Sequence, residues 1–401
     1  MRGINTGADN TTKAAHGTTS AEMVLTSSNA RLQSAQTTSL PRALMLAVAA
    51  YAPIWGLVLG YAALVQAWVG LSDGIGKSLT QVVMNLVLFL AAILPVLIAW
   101  RLAVYARRGV PESTLRQLLL DARQYLGNPA RLTNLIVLFP SMYLFLQAFS
   151  VFKGNIAYAH PFSWDVTFME LDKWLHGGRH PWEWLQPLLE HPLATFGINF
   201  IYNLWFFLAI GSLLWAVGMR RANPLATRYL LAYLLTWIIA GSFMALAFSS
   251  AGPAFYARLG LSPDPYAPLM DILRQAAEHF PIWALTTQDM LWQHYLEQNI
   301  ALAGISAFPS MHNAQATLLA LLVWRAGGLW RAAGIAFAAA IAIGSVWLAW
   351  HYAVDAYAGI AMALLCWWLA GILNRWLIRR PAMQALRRIL RKMDDEARRP
   401  L

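Results

Sequence analysis

Apolar stretches close to twenty residues long recur along the chain, and nothing else in the sequence restricts its folding so tightly. About twenty residues at about 1.5 Å each match the roughly 30 Å hydrocarbon core of a bilayer, where only structures that satisfy their own backbone persist. Apolar residues make up 58% of the 401 and charged residues 12%, so the chain reads as an all-α integral membrane protein. About eight transmembrane helices are expected, near 43–66, 80–100, 132–152, 193–218, 229–248, 304–324, 332–350 and 354–374. Residues 1–40, rich in Ser, Thr, Ala and Asn, read as a disordered tail. The single cysteine, Cys366, lies inside an apolar run, which excludes a disulfide framework and a thiolate metal cluster.

Arginine placement gives the expected orientation. Arg101, Arg107, Arg108, Arg116, Arg123 and Arg131 fall between the second and third spans, and Arg220, Arg221 and Arg228 between the fourth and fifth. Arg325 and Arg331 flank the turn between the sixth and seventh, and nine more basic residues lie between Arg375 and Arg399. One side of the membrane thus collects 20 of the 30 Lys and Arg residues. Both termini are expected in the cytoplasm, most simply that of a bacterium bounded by its cytoplasmic membrane. The net charge of +11 then reflects topology and attraction to anionic lipid, and no nucleic-acid partner is expected.

Two long segments, 153–192 and 249–303, fall on the extracytoplasmic side. WEWLQPLLE and PIWALTTQDMLWQHYL mix aromatic and polar residues as interfacial helices do, and coating of the membrane surface is the simplest expectation for most of their length. His176, Arg179 and His180 lie in the first of them, where a headgroup contact and an ordinary interfacial turn explain them equally well. Tyr202 and Trp205 on the fourth span read as packing or interfacial aromatics.

The sixth span opens with SAFPSMHNAQA and the seventh ends in WLAWHYAVDAYAG, so the hairpin between them returns His312 and His351 to one membrane face. His351 and Asp355, four residues apart, share a helix face, where the carboxylate can orient the imidazole. Pro309 and Ser310 look like a helix start, whose free N–H groups suit an anion. Two histidines, a carboxylate and an anion-binding turn suggest phosphoryl transfer. Depth arithmetic opposes this: 13 residues from Arg325 to His312 rise about 20 Å, whereas 20 residues from Arg331 to His351 rise about 30 Å. Helix tilt or an uneven turn at Gly327 and Gly328 is expected to absorb the difference.

FPSMH followed by HYAVD resembles the second and third signatures of the type-2 phosphatidic acid phosphatase superfamily, P-S-G-H and S-R-x-x-x-x-x-H-x-x-x-D, with local wording similar to its inositol phosphorylceramide synthase branch. Met311 stands where the glycine would be and Ser345 where the arginine would be. The first signature, K-x-x-x-x-x-x-R-P, is not found before the second, where SSAGPAFYARL stands instead; its Gly252, Pro253, Tyr256 and Arg258 resemble the proline-aromatic element of the synthase branch. The resemblance implies a six-helix phosphatase-like core within a catalytic membrane domain over 153–378. N-terminal transmembrane helices over 41–152 would precede it, and a basic cytoplasmic tail over 379–401 would follow. It implies metal-independent catalysis without a cofactor: His351 as nucleophile, Asp355 as its orienting partner, and His312 as acid and then base. Ser310, Arg258, Tyr256 and Pro253 would bind substrate.

The implied activity is transfer of a phospho headgroup from a membrane lipid to an alcohol, possessing inositolphosphotransferase-like character if the acceptor is a polyol. A lipid or polyprenyl phosphate phosphatase using water is the neighbouring reading. Each motif also has a structural explanation: a helix-cap role for His312, a helix-end pair for His351 and Asp355, a solvated loop charge for Arg258. A zinc site at the two histidines would lack a fourth ligand. A transporter would show inverted repeats, and none is evident. A membrane scaffold would leave the histidine motifs unexplained. Oligomeric state stays open at this level, as do donor tail and acceptor.

Overall fold

The computed structural model describes residues 40–69, 113–298 and 304–397, with 94, 98–99, 101–107, 109 and 111 between them. The tail ending at residue 40 and the span expected at 80–100 lie almost wholly outside the described residues. Among the described residues every regular element is helical.

Six helices are long and apolar enough to cross a membrane: α1 (Leu40–Val69), α3 (Pro129–Ala159), α6 (Pro192–Val217), α7 (Pro224–Ala247), α11 (Gly328–Trp347) and α12 (Ala353–Arg379). Shorter helices fill the rest: α2 (Thr114–Leu126), α4 (Asp165–Leu175), α5 (Pro181–Leu189), α8 (Ala267–Ala277), α9 (Trp283–Leu296), α10 (Met311–Val323) and α13 (Pro381–Ala397). Their starts follow a simple local rule. Asn128-Pro129, His191-Pro192 and Asn223-Pro224 each place a side-chain acceptor before a proline at the first helical position, whose missing N–H would have had no partner anyway.

Packing divides the bundle into two cores. In the first, α1 lies along α3, pinned by Tyr51 Oη donating to Asn134 Oδ1 at 3.0 Å and Trp55 Nε1 donating to the Val137 carbonyl at 3.1 Å. The last helix, α13, docks its apolar face (Met383, Leu386, Leu390, Met393) on this pair, so the basic tail is helical through Ala397. Its Asp394 is fully buried and meets Asn128 and Arg221, each at 3.1 Å. In the second core, α10, α11 and α12 pack with α6 and α7, and α4, α5, α8 and α9 close over one end.

The sixth expected span is a helix of 13 residues, about 20 Å long, which is too short for the hydrocarbon core. The depth mismatch between the histidines disappears for a reason that is neither tilt nor the glycine turn. After Trp347 the chain reverses: Ala349 adopts a left-handed φ of 59°, and the amides of Trp350 and His351 both donate to the Ser345 carbonyl at 3.0 Å. His351 is thereby returned to the level of residue 345, only 14 residues or about 21 Å above Arg331, matching the rise to His312.

The crossing of α10 and α12 is close because Gly359 faces the Ser310 carbonyl, which a Cβ at that position would overlap. Gly359→Ala must push the two helices apart. It is expected to lower thermal stability in detergent by roughly 1–3 kcal/mol, the usual range for overpacking; an unchanged unfolding temperature would contradict the crossing described here.

Candidate active site

Three chain segments meet at the N-terminal end of α10. The loop 249–256 runs beside residues 304–310, with the Ala307 amide donating to the Ser250 carbonyl at 2.9 Å. The turn 348–352 joins them: Ala254 N–H donates to the Ala349 carbonyl at 2.9 Å, and Ser310 N–H to the Asp355 carbonyl at 3.0 Å. Gly252, at φ 101°, permits this meeting because a Cβ would stand 2.7 Å from the Trp350 carbonyl oxygen.

Irregular backbone inside a membrane bundle needs internal hydrogen-bond acceptors, and α4 provides two. Buried Asp165 accepts from the amides of Ala251 and Gly252 and from Tyr352 Oη at 2.8 Å. Buried Asp172 accepts from the amides of Ala353 and Val354, at 2.7 and 2.9 Å, capping the N-terminus of α12. Burial raises both carboxyls, Asp172 to about 7, against the pull of these donors. The segment 153–192 therefore holds the turn that carries His351, beyond the coating role expected for most of its length. The second forms a roof: α9 places Ala284, Thr287 and Leu291 on the cavity and anchors through Gln288 Nε2 to the Leu348 carbonyl at 2.9 Å.

His312 and His351 both line this cavity of about 440 Å³, their ring centroids 5.9 Å apart. His351 Nδ1 stands 3.3 Å from Asp355 Oδ2, which orients the ring. Asp355 is fully buried and also accepts from the Tyr352 amide at 3.0 Å. Burial first, and then the charge of Lys153, push the His351 imidazole down to about 3, so the ring is neutral and its lone pair available. His312 is held between two aromatic rings, Tyr202 at 4.6 Å and Trp205 at 4.2 Å, and Trp205 Nε1 donates to its carbonyl at 2.9 Å. The two aromatics read as packing thus fix the orientation of one imidazole.

Four residues expected to bind substrate lie elsewhere. Ser310 is fully buried and its hydroxyl caps α10, accepting from Asn313 Nδ2 at 3.0 Å. Arg258 pairs with Asp289 beside Phe255 and Trp292 and does not line the cavity. Tyr256 packs on Tyr266, and Pro253 opens a buried 3₁₀ turn. The arginine-to-serine exchange also has a structural reason: Ser345 is fully buried between α10 and α11, taking a hydrogen bond from Asn313 Nδ2 at 3.1 Å, where a guanidinium has no room. Met311, in place of glycine, lies against Gly241 in the π-helical stretch Ile239–Met244 of α7.

The cation of the site is Lys153, which the sequence reading missed. It lines the cavity from the last turns of α3, within electrostatic reach of both imidazoles, and no carboxylate pairs with it among the described residues. Its stem crosses Gly304, where a Cβ would stand 3.1 Å from Cγ. A signal was present: Lys153, six residues, then His160-Pro161 keeps the spacing of the first signature with histidine for arginine. That match lies almost a hundred residues upstream of SSAGPAFYARL. Tyr202 also lines the cavity, and its buried Oη has no hydrogen-bond partner. Among the described residues no group of three or more His, Cys, Asp and Glu side chains is arranged to hold a metal ion.

Two imidazoles 5.9 Å apart, one beside a buried carboxylate and both near a lysine in one cavity, form an arrangement suited to phosphoryl transfer through side chains. A family model described as the PAP2 superfamily matches residues 166–369, just over half of the chain. The chain belongs to this superfamily, whose chemistry is phosphatase or phosphotransferase action on lipid phosphates. No curated protein and no solved structure matches it.

The depressed His351 pKa has a measurable consequence. Folding removes a proton-binding site that the unfolded chain fills below about 6.5, so this residue's contribution to stability falls as pH drops from 6.5 towards 3. His351→Gln removes that dependence. The unfolding temperature of the variant relative to wild type is expected to rise on acidification across this window, by up to one proton's worth of slope; parallel curves would show a ring that is charged in the native state.

Proposed function

We propose that the protein transfers a phospho headgroup from a phosphodiester lipid to an alcohol, through an intermediate on His351. The observation that carries this reading is charge. Lys153 is the one lysine or arginine lining the cavity among the described residues, and it matches the single negative charge of a phosphodiester, whereas a terminal phosphomonoester brings nearly two.

His351 Nε2 attacks phosphorus while Asp355 steadies the charge that develops on the ring. The bond to the lipid alkoxide breaks, and His312 protonates the leaving oxygen. An incoming alcohol then gives its proton to His312 and attacks the phosphohistidine, which restores His351. Lys153 and the unpartnered Tyr202 hydroxyl supply cationic and O–H donors to the phosphoryl oxygens. The aromatic lining (Phe149, Phe206, Trp237, Trp350) suits exclusion of bulk water, which favours an alcohol over hydrolysis. An inositol-like polyol acceptor fits the synthase-like wording of FPSMH and HYAVD. The arginine bias of the opposite end supports a site that opens outside the cytoplasm.

Purified protein incubated with a phospholipid labelled on its headgroup phosphate tests this. Wild type is expected to acquire acid-labile label and pass it to added polyol; His351→Ala acquires none. Lys153→Met loses about 10²–10³-fold in rate, as removal of one transition-state donor does. Label passing only to water would make it a phosphatase, and phosphatidic acid turning over faster than any diester would refute the charge argument. Product formed equally by wild type and His351→Ala would rule out the mechanism.

A further inference from the structure

A second cavity, of about 370 Å³, lies at the opposite end of the bundle between α7, α10 and α12. Asn374, in its lining, is 19 residues along α12 from Asp355, about 28 Å, which places this cavity at the other membrane interface. The catalytic residues do not reach it. Its lining includes Arg228, Arg325, Trp324, Trp367 and Asn374, with no carboxylate among the described residues.

Arg228 is built into place. Nε and Nη2 both donate to the Trp367 carbonyl, at 3.2 and 3.0 Å, and the guanidinium lies 4.3 Å from the centre of the Trp367 ring. Gly371 leaves the room it occupies, since a Cβ there would stand 3.0 Å from Nη2. Nη1 is left for another acceptor. Arg325 and Arg375 lie close enough to Arg228 to repel it, and no acidic side chain pairs with any of the three among the described residues. A fixed guanidinium, Arg228, with the exposed Arg325 and Arg375 within electrostatic reach of it, selects an anion, and the planar fork of arginine suits phosphate.

Asn374 narrows the ligand further. Its Nδ2 donates to the Pro224 carbonyl at 2.8 Å, which fixes the amide, and its buried Oδ1 has no partner. That oxygen asks for a hydrogen-bond donor beside the anion. An ammonium headgroup would be opposed by three guanidinium charges, whereas a hydroxyl would not.

We propose that this cavity binds a hydroxyl-bearing anionic phospholipid headgroup, of the phosphatidylglycerol kind, in the leaflet opposite the catalytic opening. The phosphodiester sits on Arg228 and Arg325, and a headgroup hydroxyl donates to Asn374 Oδ1. The site is a structural lipid site, separate from turnover, and stands whether or not the transferase reading does.

Native mass spectrometry of the full-length protein in detergent provides the test. It compares retention of phosphatidylglycerol, phosphatidylmethanol (the same charge without the hydroxyl) and phosphatidylcholine. Wild type should retain phosphatidylglycerol most, then phosphatidylmethanol, then phosphatidylcholine. Arg325→Gln removes an exposed side chain with no hydrogen bond to lose, and should weaken both anionic lipids about 5-fold, corresponding to about 1 kcal/mol per interfacial charge, with unfolding temperature unchanged. Asn374→Leu should erase the preference for phosphatidylglycerol over phosphatidylmethanol. Arg388→Gln, an exposed arginine on α13, should alter nothing. Equal retention of all three lipids by wild type would overturn the proposal. An equal loss from Arg388→Gln would do the same by revealing only general surface charge. Full displacement by soluble glycerol phosphate would assign the cavity to a free phosphate ester instead.

Discussion

Two buried carboxylates on one short helix hold the candidate active site together. The turn that carries His351 and the loop at Gly252 are breaks in helical structure inside a membrane bundle, and their N–H groups have no water to turn to. Asp165 and Asp172 take five donors between them, from Ala251, Gly252, Ala353, Val354 and Tyr352. They join α4 to α12 and to the loop before α8 in one network. Without these acceptors the reversal after Trp347 would leave amides unsatisfied at a cost of several kcal/mol. Their burial makes each dependent on its donors in turn, so α4 and the turn that carries His351 form as a unit.

Fold class was legible because hydropathy over twenty-residue windows reports the solvent directly. The histidine pair was legible because His351 and Asp355 are local neighbours and FPSMH marks a helix start. What escaped was whatever depends on how distant segments fold back. Lys153 and His351 are almost two hundred residues apart, and their shared cavity follows from the packing of α3 against α7, which hydropathy does not encode. Ser310 and Arg258 illustrate the opposite error. Each has the right chemistry in the right stretch of chain, but one hydroxyl is committed to its own helix cap and one guanidinium to Asp289. A residue's type announces what it can bind, and its existing partners decide whether it is free to do so.

The depth argument shows how a correct rule can mislead by one turn. A rise of about 1.5 Å per residue holds for α11 as far as Trp347. It fails afterwards because Ala349 enters the left-handed region and the amides of Trp350 and His351 turn back to one carbonyl. An alanine with positive φ is costly and carries no sequence signature of the kind a glycine would. Its cost is offset where it is most useful, since the same reversal aims the imidazole at the cavity and lets the Ala349 carbonyl accept from Ala254.

The two proposed anion sites would meet their ligands differently, and dielectric is the reason. In the first cavity a second cation would add a large desolvation cost, so a single lysine beside two imidazoles is the economical arrangement. At the other interface Arg325 is exposed, and water screens repulsion among the guanidinium groups, so several charges can gather without a counter-ion in the protein. A site that must discharge its ligand needs weak, balanced charge. A site that only holds a lipid headgroup has no such constraint, and the clustering of Arg228, Arg325 and Arg375 follows from that freedom.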